Sequence, residues 1–151
     1  MPDNIYISIG ENYSYPRQIF TEISVFVNDR VFPVEGWQDF SYSMLSSWAY
    51  AMTDSTYRPR KIELPFFDGD HLIKAYIDEQ DEMILSCISC GKEVCTAHIA
   101  FEDYLKDIRR ALRTLQNRLA EDPGELSYDS WNNDIDCNVK KIDQYLKVLK
   151  K

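Results

Sequence analysis

Four side chains able to bind zinc fall within twelve residues, Cys87 and Cys90 in Cys87-Ile-Ser-Cys90-Gly91-Lys92 and then Cys95 and His98 in Cys95-Thr-Ala-His98. Thiolate and imidazole are the ligands of tetrahedral zinc, so the pattern C-x2-C-x4-C-x2-H offers one complete set. The spacing argues the other way. Two ligand pairs normally stand a dozen or more residues apart, whereas four residues allow only a tight turn. On the two strands of a hairpin, alternation sends neighbouring side chains to opposite faces, and free cysteine is among the most often buried residues. Structural cysteines are therefore the expected reading, and a small zinc-binding accessory domain on Cys87, Cys90, Cys95 and His98 is the alternative. A Cys95 and His98 nucleophilic pair would need an orienting third group and oxyanion donors, and no local feature supplies either.

The second set is acidic. Paired carboxylates can exchange protons or hold magnesium, and Asp68 and Asp70 stand one residue apart, with Asp78, Glu79, Asp81 and Glu82 following. Asp68-Gly69 is turn chemistry, however, and the second cluster belongs to the next loop, at the opposite end of a strand. Solvated turns explain both. A third run, residues 120–139, holds six acids with no Lys or Arg, including Glu121, Asp122, Glu125 and Asp129, beside Tyr128 and Trp131. Acid runs combined with Tyr and Trp suit a surface that steers and anchors a basic protein partner. Asp68, Asp70, Asp78, Glu79, Asp81, Glu82, Glu121, Asp122, Glu125, Tyr128, Asp129 and Trp131 are accordingly the candidate partner-binding residues.

Composition narrows the rest. In 151 residues there are 25 Asp+Glu against 17 Lys+Arg, two His and five Gly. The glycines are too dispersed for a dinucleotide fingerprint, a phosphate loop or a nucleophile elbow, and two histidines cannot build a three-histidine metal site. A net charge of −8 opposes direct binding to nucleic acid or to an anionic membrane. No apolar run is long enough to span a bilayer, and Met1-Pro-Asp-Asn lacks the regions of a signal peptide. A cytoplasmic, non-enzymatic protein without a cofactor is expected, its cysteines being few and unpatterned for disulfides.

The elements that must position these residues follow from periodicity. Asn4–Gly10 alternates as a strand, and Tyr13–Arg17 reads as a loop because Pro16 restricts Tyr15. Residues 19–27 and 30–34 form a hairpin about Asn28-Asp29. From Trp37 the apolar spacing changes to three and four, through Phe40, Met44, Leu45, Trp48 and Met52, which predicts one helix. Strands follow at 61–67, 72–77, 83–89 and 93–99, joined by turns at Asp68-Gly69, at 78–82 and at Gly91-Lys92. Helical stripes cover Phe101–Leu119 and Trp131–Leu149, separated by Asp122-Pro-Gly. Strands followed by helices give the α+β class: a single domain over 1–151, with about six to seven strands in a largely antiparallel sheet covered on one face by about three helices.

Trp37-Gln-Asp39-Phe40, Trp48, Leu64-Pro-Phe-Phe-Asp68-Gly69 and the Ile/Cys-rich hairpin after them resemble the small acidic α+β immunity proteins that bacteria pair with polymorphic toxins. The resemblance covers residues 19–119. It implies a cytoplasmic inhibitor that binds one cognate toxin and blocks its active site without catalysing a reaction. With the acidic excess, the expected function is an immunity or antitoxin-like inhibitor of a basic toxin, of nuclease type.

Overall fold

The computed structural model describes residues 3–15, 18–121 and 128–149. Its chain order is β1 (Ile5–Tyr15), β2 (Gln18–Val27), β3 (Arg30–Phe32), β4 (Gln38–Asp39), α1 (Ser41–Thr53), β5 (Arg60–Pro65), β6 (His71–Ile77), β7 (Glu82–Ser89), β8 (Lys92–Ala100), α2 (Phe101–Glu121) and α3 (Tyr128–Leu149). The α+β class is as expected, with eight strands among the described residues rather than six or seven. They form two four-stranded antiparallel sheets instead of one: β1-β2-β3 with β4 also on β2, and β5-β6-β7-β8.

Turn chemistry sets the hairpins. Asn28 at φ 56° and the pair Cys90 and Gly91 at φ 52° and 78° supply the left-handed residues that tight turns between twisted strands need. β1 runs through Tyr15, where a loop was expected, because β2 keeps pairing with it: the register shifts between Ile9 and Asn12 and resumes as far as Tyr15 opposite Gln18. Gly10 sits at that shift, and a Cβ there would come within 2.8 Å of the Cβ of Glu22. Tertiary pairing outweighs the local preference.

Alternation turns Ile5, Ile7 and Ile9 of β1 and Ile23, Val25 and Val27 of β2 to the same side. They join Leu64, Ile73, Ile77, Met83, Leu85 and Cys87 of the second sheet in one core, completed by the buried stripes of all three helices. Trp131, a candidate surface anchor, belongs to this core at 2% exposure, so that expectation is corrected: it lies on the inward stripe with Ile135, Val139 and Ile142.

The sheet edges are closed by side chains. Asp107 and Arg110 on α2 reach the outer edge of β1, Asp107 accepting the Ile7 N–H at 2.6 Å and Arg110 donating to the Ile7 carbonyl. On β8, Asp3 accepts the His98 N–H at 2.7 Å and donates its own N–H to the His98 carbonyl at 3.0 Å, while Arg30 donates to the Val94 carbonyl. Such pairing occupies ladder groups at Ile7, Val94 and His98 that another strand would otherwise use. α1 is tied to β5 by Trp48, whose indole N–H donates to the Pro65 carbonyl at 2.7 Å, and by Arg60, which donates to the Ala51 and Met52 carbonyls at the helix end. Trp48 is fully buried and shares an edge-to-face contact with Phe66. Trp48→Ala is expected to lower the unfolding free energy by about 3–5 kcal/mol in urea titration, from the lost volume and the orphaned Pro65 carbonyl.

Candidate functional site

The helix predicted from Trp37 begins only at Ser41, and the four residues before it do something else. Gln38 and Asp39 pair with Glu22 and Thr21 of β2, and the Ile23 N–H donates to the Trp37 carbonyl at 2.7 Å. This turns the Asp39 side chain inward, where it is 0% exposed. Oδ1 accepts the Phe40 N–H at 2.7 Å and the Phe67 N–H at 3.2 Å. Oδ2 accepts the Trp37 indole N–H at 2.9 Å and the Asp68 N–H at 3.2 Å. A carboxylate withdrawn from water must have its lone pairs filled, and here two donors come from its own strand and helix start and two from the β5–β6 turn. The same turn packs on Trp37: a Cβ on Gly69, whose φ is 78°, would lie 3.0 Å from the indole ring. The indole also meets His71 edge-on, with centroids 4.8 Å apart. Phe32 contacts Phe66 and His71, His71 Nδ1 lies 2.8 Å from Ser89 Oγ, and the Cys90 N–H donates to the Asp70 carbonyl at 2.8 Å.

Three loops, 33–37, 66–70 and 89–92, are thereby fastened together at one end of the second sheet. With the Phe67 and Asp68 peptide groups held inward, their side chains project outward. Phe67 is 44% exposed and Val34 56%, and Asp68, Asp70 and the neighbouring Glu35 are exposed with no side-chain partner among the described residues. Two large apolar groups among free carboxylates on anchored loops suit protein recognition, because little ordering entropy remains to be lost on binding.

The other candidate residues do not join this corner. Asp78, Glu79, Asp81 and Glu82 sit at the opposite end of the sheet, where Asp78 accepts the N–H groups of Gln80 and Glu82. Asp81 is held by Arg58 at 2.5 Å, and that guanidinium also donates to Tyr145 Oη and lies 4.7 Å from the Phe101 ring centroid. Glu82 pairs with His98 at 3.1 Å. Asp81 and Glu82 are thus already paired within the fold, and Glu79 remains exposed. Glu121 is exposed at the end of α2; Asp122 and Glu125 lie outside the described residues, as do the side chains of Tyr128 and Asp129. Acids further along α3 are paired internally: Asp134 accepts from Tyr42, Asp136 from Arg113 and Gln116, and Asp143 from Arg109. The Gln116 and Arg113 hydrogen bonds hold the Asp136 carboxyl below the ordinary carboxylate range.

No family model, curated protein or solved structure matches this chain. The site's own geometry therefore carries the reading.

That geometry does not assemble the zinc set. Cys87 and Cys95 face each other across β7 and β8 on the inward side, Cys90 is exposed in the turn, and His98 projects from the outer face towards Glu82. Among the described residues no group of three or more His, Cys, Asp or Glu side chains is placed to hold a metal ion. Sequence reasoning also left Val34, Glu35 and Phe67 out of the site. Their signal was indirect, namely an acid framed by aromatics at Trp37-Gln-Asp39-Phe40, which marks a buried carboxylate.

Asp39→Asn keeps the shape of the side chain but replaces one acceptor with a donor facing N–H groups. It is expected to cost about 2–4 kcal/mol in urea titration and to speed amide exchange at Phe67 and Asp68, whereas Asp70→Asn stays within about 0.5 kcal/mol of the parent. The depressed Asp136 pKa predicts a pH effect of known sign. The pairing contributes fully above the unfolded value, 3.8, and is lost as pH falls through the lower folded value. The stability gap between the parent and Asp136→Asn should therefore narrow as pH falls below the unfolded value and through the lower folded one.

Proposed function

We propose that this protein is an immunity-type inhibitor acting in the cytoplasm, which binds one basic toxin through the corner built on Asp39. The observation that carries the reading is the presence of exposed Phe67, Asp68 and Asp70 on a turn held from beneath by Asp39, near exposed Val34 and Glu35, the three acids having no side-chain partner among the described residues. The resemblance at Trp37–Phe40 and Leu64–Gly69 supports it, because those two stretches are the ones that build the corner.

The mechanism divides between charge and contact. The acids raise the encounter rate with a positively charged surface and occupy positions where a nuclease would hold phosphate oxygens. Phe67 then supplies the desolvated anchor that slows dissociation, with Val34 widening the apolar contact. No bond is made or broken in the partner; inhibition comes from covering its site.

Affinity purification from the native host should recover one basic protein. With that partner in hand, surface plasmon resonance should give Phe67→Ala a Kd about 30-fold or more above the parent, mainly through faster dissociation. Asp68→Asn combined with Asp70→Asn should slow association several-fold and flatten its salt dependence, while Glu79→Gln at the far end stays within about two-fold of the parent. Recovery of no basic partner, or an association rate indifferent to salt, contradicts the reading.

A further inference from the structure

Cys87 and Cys95 are direct cross-strand partners in the β7–β8 ladder. Paired residues in an antiparallel ladder have Cα atoms about 4.5 or about 5.5 Å apart, and both separations lie inside the range a disulfide spans. Both side chains turn to the inner side of the sheet, where Cys87 is 0% exposed and Cys95 is half-buried. Burial, together with the neighbouring Cys95, pushes the Cys87 thiol up. On its open side Cys95 lines a surface cavity of about 250 Å³ shared with Arg30, Phe32, Pro33, Ser89 and Val94. Tyr104 on α2 is fully buried, and its hydroxyl finds no hydrogen-bond partner among the described residues. The pair thus has one member open to a small reagent and one behind it.

We infer that Cys87 and Cys95 form a peroxide-oxidisable dithiol, with Cys95 the thiol oxidised first and Cys87 the one that closes a disulfide between β7 and β8. In the first step the Cys95 thiolate displaces hydroxide from hydrogen peroxide. The S–O bond forms, the O–O bond breaks, and hydroxide with the former thiol proton gives one water, leaving a sulfenic acid. In the second step the Cys87 sulfur attacks the Cys95 sulfur. The S–S bond forms, the S–O bond breaks, and hydroxide leaves with the Cys87 proton as a second water. Two thiols have then lost two electrons to one peroxide. A protein held in a reducing compartment would form this bond transiently, as redox-responsive cytosolic disulfides do.

The test uses the full chain carrying Cys90→Ser and Cys137→Ser, which removes the two exposed cysteines and leaves the cross-strand pair intact. The folded variant is treated with hydrogen peroxide and mapped by mass spectrometry without reduction. The expected result is a monomer lighter by two hydrogens, with a peptide linking Cys87 to Cys95 and full reversal by dithiothreitol. In the further variant Cys95→Ser the Cys87 thiol should survive the same treatment, its rate of loss falling by at least about ten-fold because burial shields it. Unreacted thiols, a Cys95 oxidised to sulfinic acid beside a free Cys87, or disulfides formed only between chains would each overturn the inference.

Discussion

The carboxylate of Asp39 is the constraint around which this molecule is arranged. A charged group fully withdrawn from water is tolerated only when its oxygens are filled by donors of good geometry, and all four donors here are neutral N–H groups. Satisfying them fixes three relationships at once. The chain must leave β2's neighbour as a two-residue strand, α1 must start immediately afterwards, and the β5–β6 turn, 28 residues on, must arrive with its peptide groups pointing inward. The first sheet, the first helix and the second sheet therefore meet at one residue. Breaking the cluster would expose a charge to a site built of Trp37, Phe32, Phe66 and His71, so partial rearrangement is costly and the corner is rigid.

Rigidity gives the exposed side chains above it their meaning. Scattered apolar residues on a surface are ordinary, but the backbone of Phe67 is held from beneath by Asp39. The carboxylates beside them are likewise unspent, in contrast to most acids elsewhere in the chain. Arg58 takes Asp81, His98 takes Glu82, and α2 and α3 exchange Arg109 with Asp143 and Arg113 with Asp136. The net charge of −8 therefore does not say which acids are spent within the fold, and the pairing of individual carboxylates does.

What the sequence disclosed and what it concealed divide along the range of the forces involved. The turns at Asn28-Asp29 and Asp68-Gly69, the stripes of α2 and α3 and the α+β class depend on residues within a few positions of one another, and all were legible. The splitting of the strands into two sheets was not, because the partners that close the edges, Asp107 to Ile7 and Asp3 to His98, lie about a hundred positions apart. Trp37 misled for a related reason: its spacing to Phe40 and Met44 suits a helix, but its indole N–H is needed by Asp39. Trp131 misled in the opposite way, since proximity to acids in sequence suggested a surface role and its helical stripe faces the core. Asp68 and Asp70 could be singled out from the sequence as exposed turn acids, while the exposed apolar residues near them, Phe67 and Val34, became visible only once the buried side of the loops was known.

The central proposal is that a partner is recognised at the Asp39 corner. Hydrogen exchange of the protein with and without its recovered partner measures this directly, peptide by peptide. The account predicts slowed exchange confined to residues 33–37, 66–71 and 89–92. Protection centred on 78–82 or on the outer face of α3, with the corner unchanged, would contradict it.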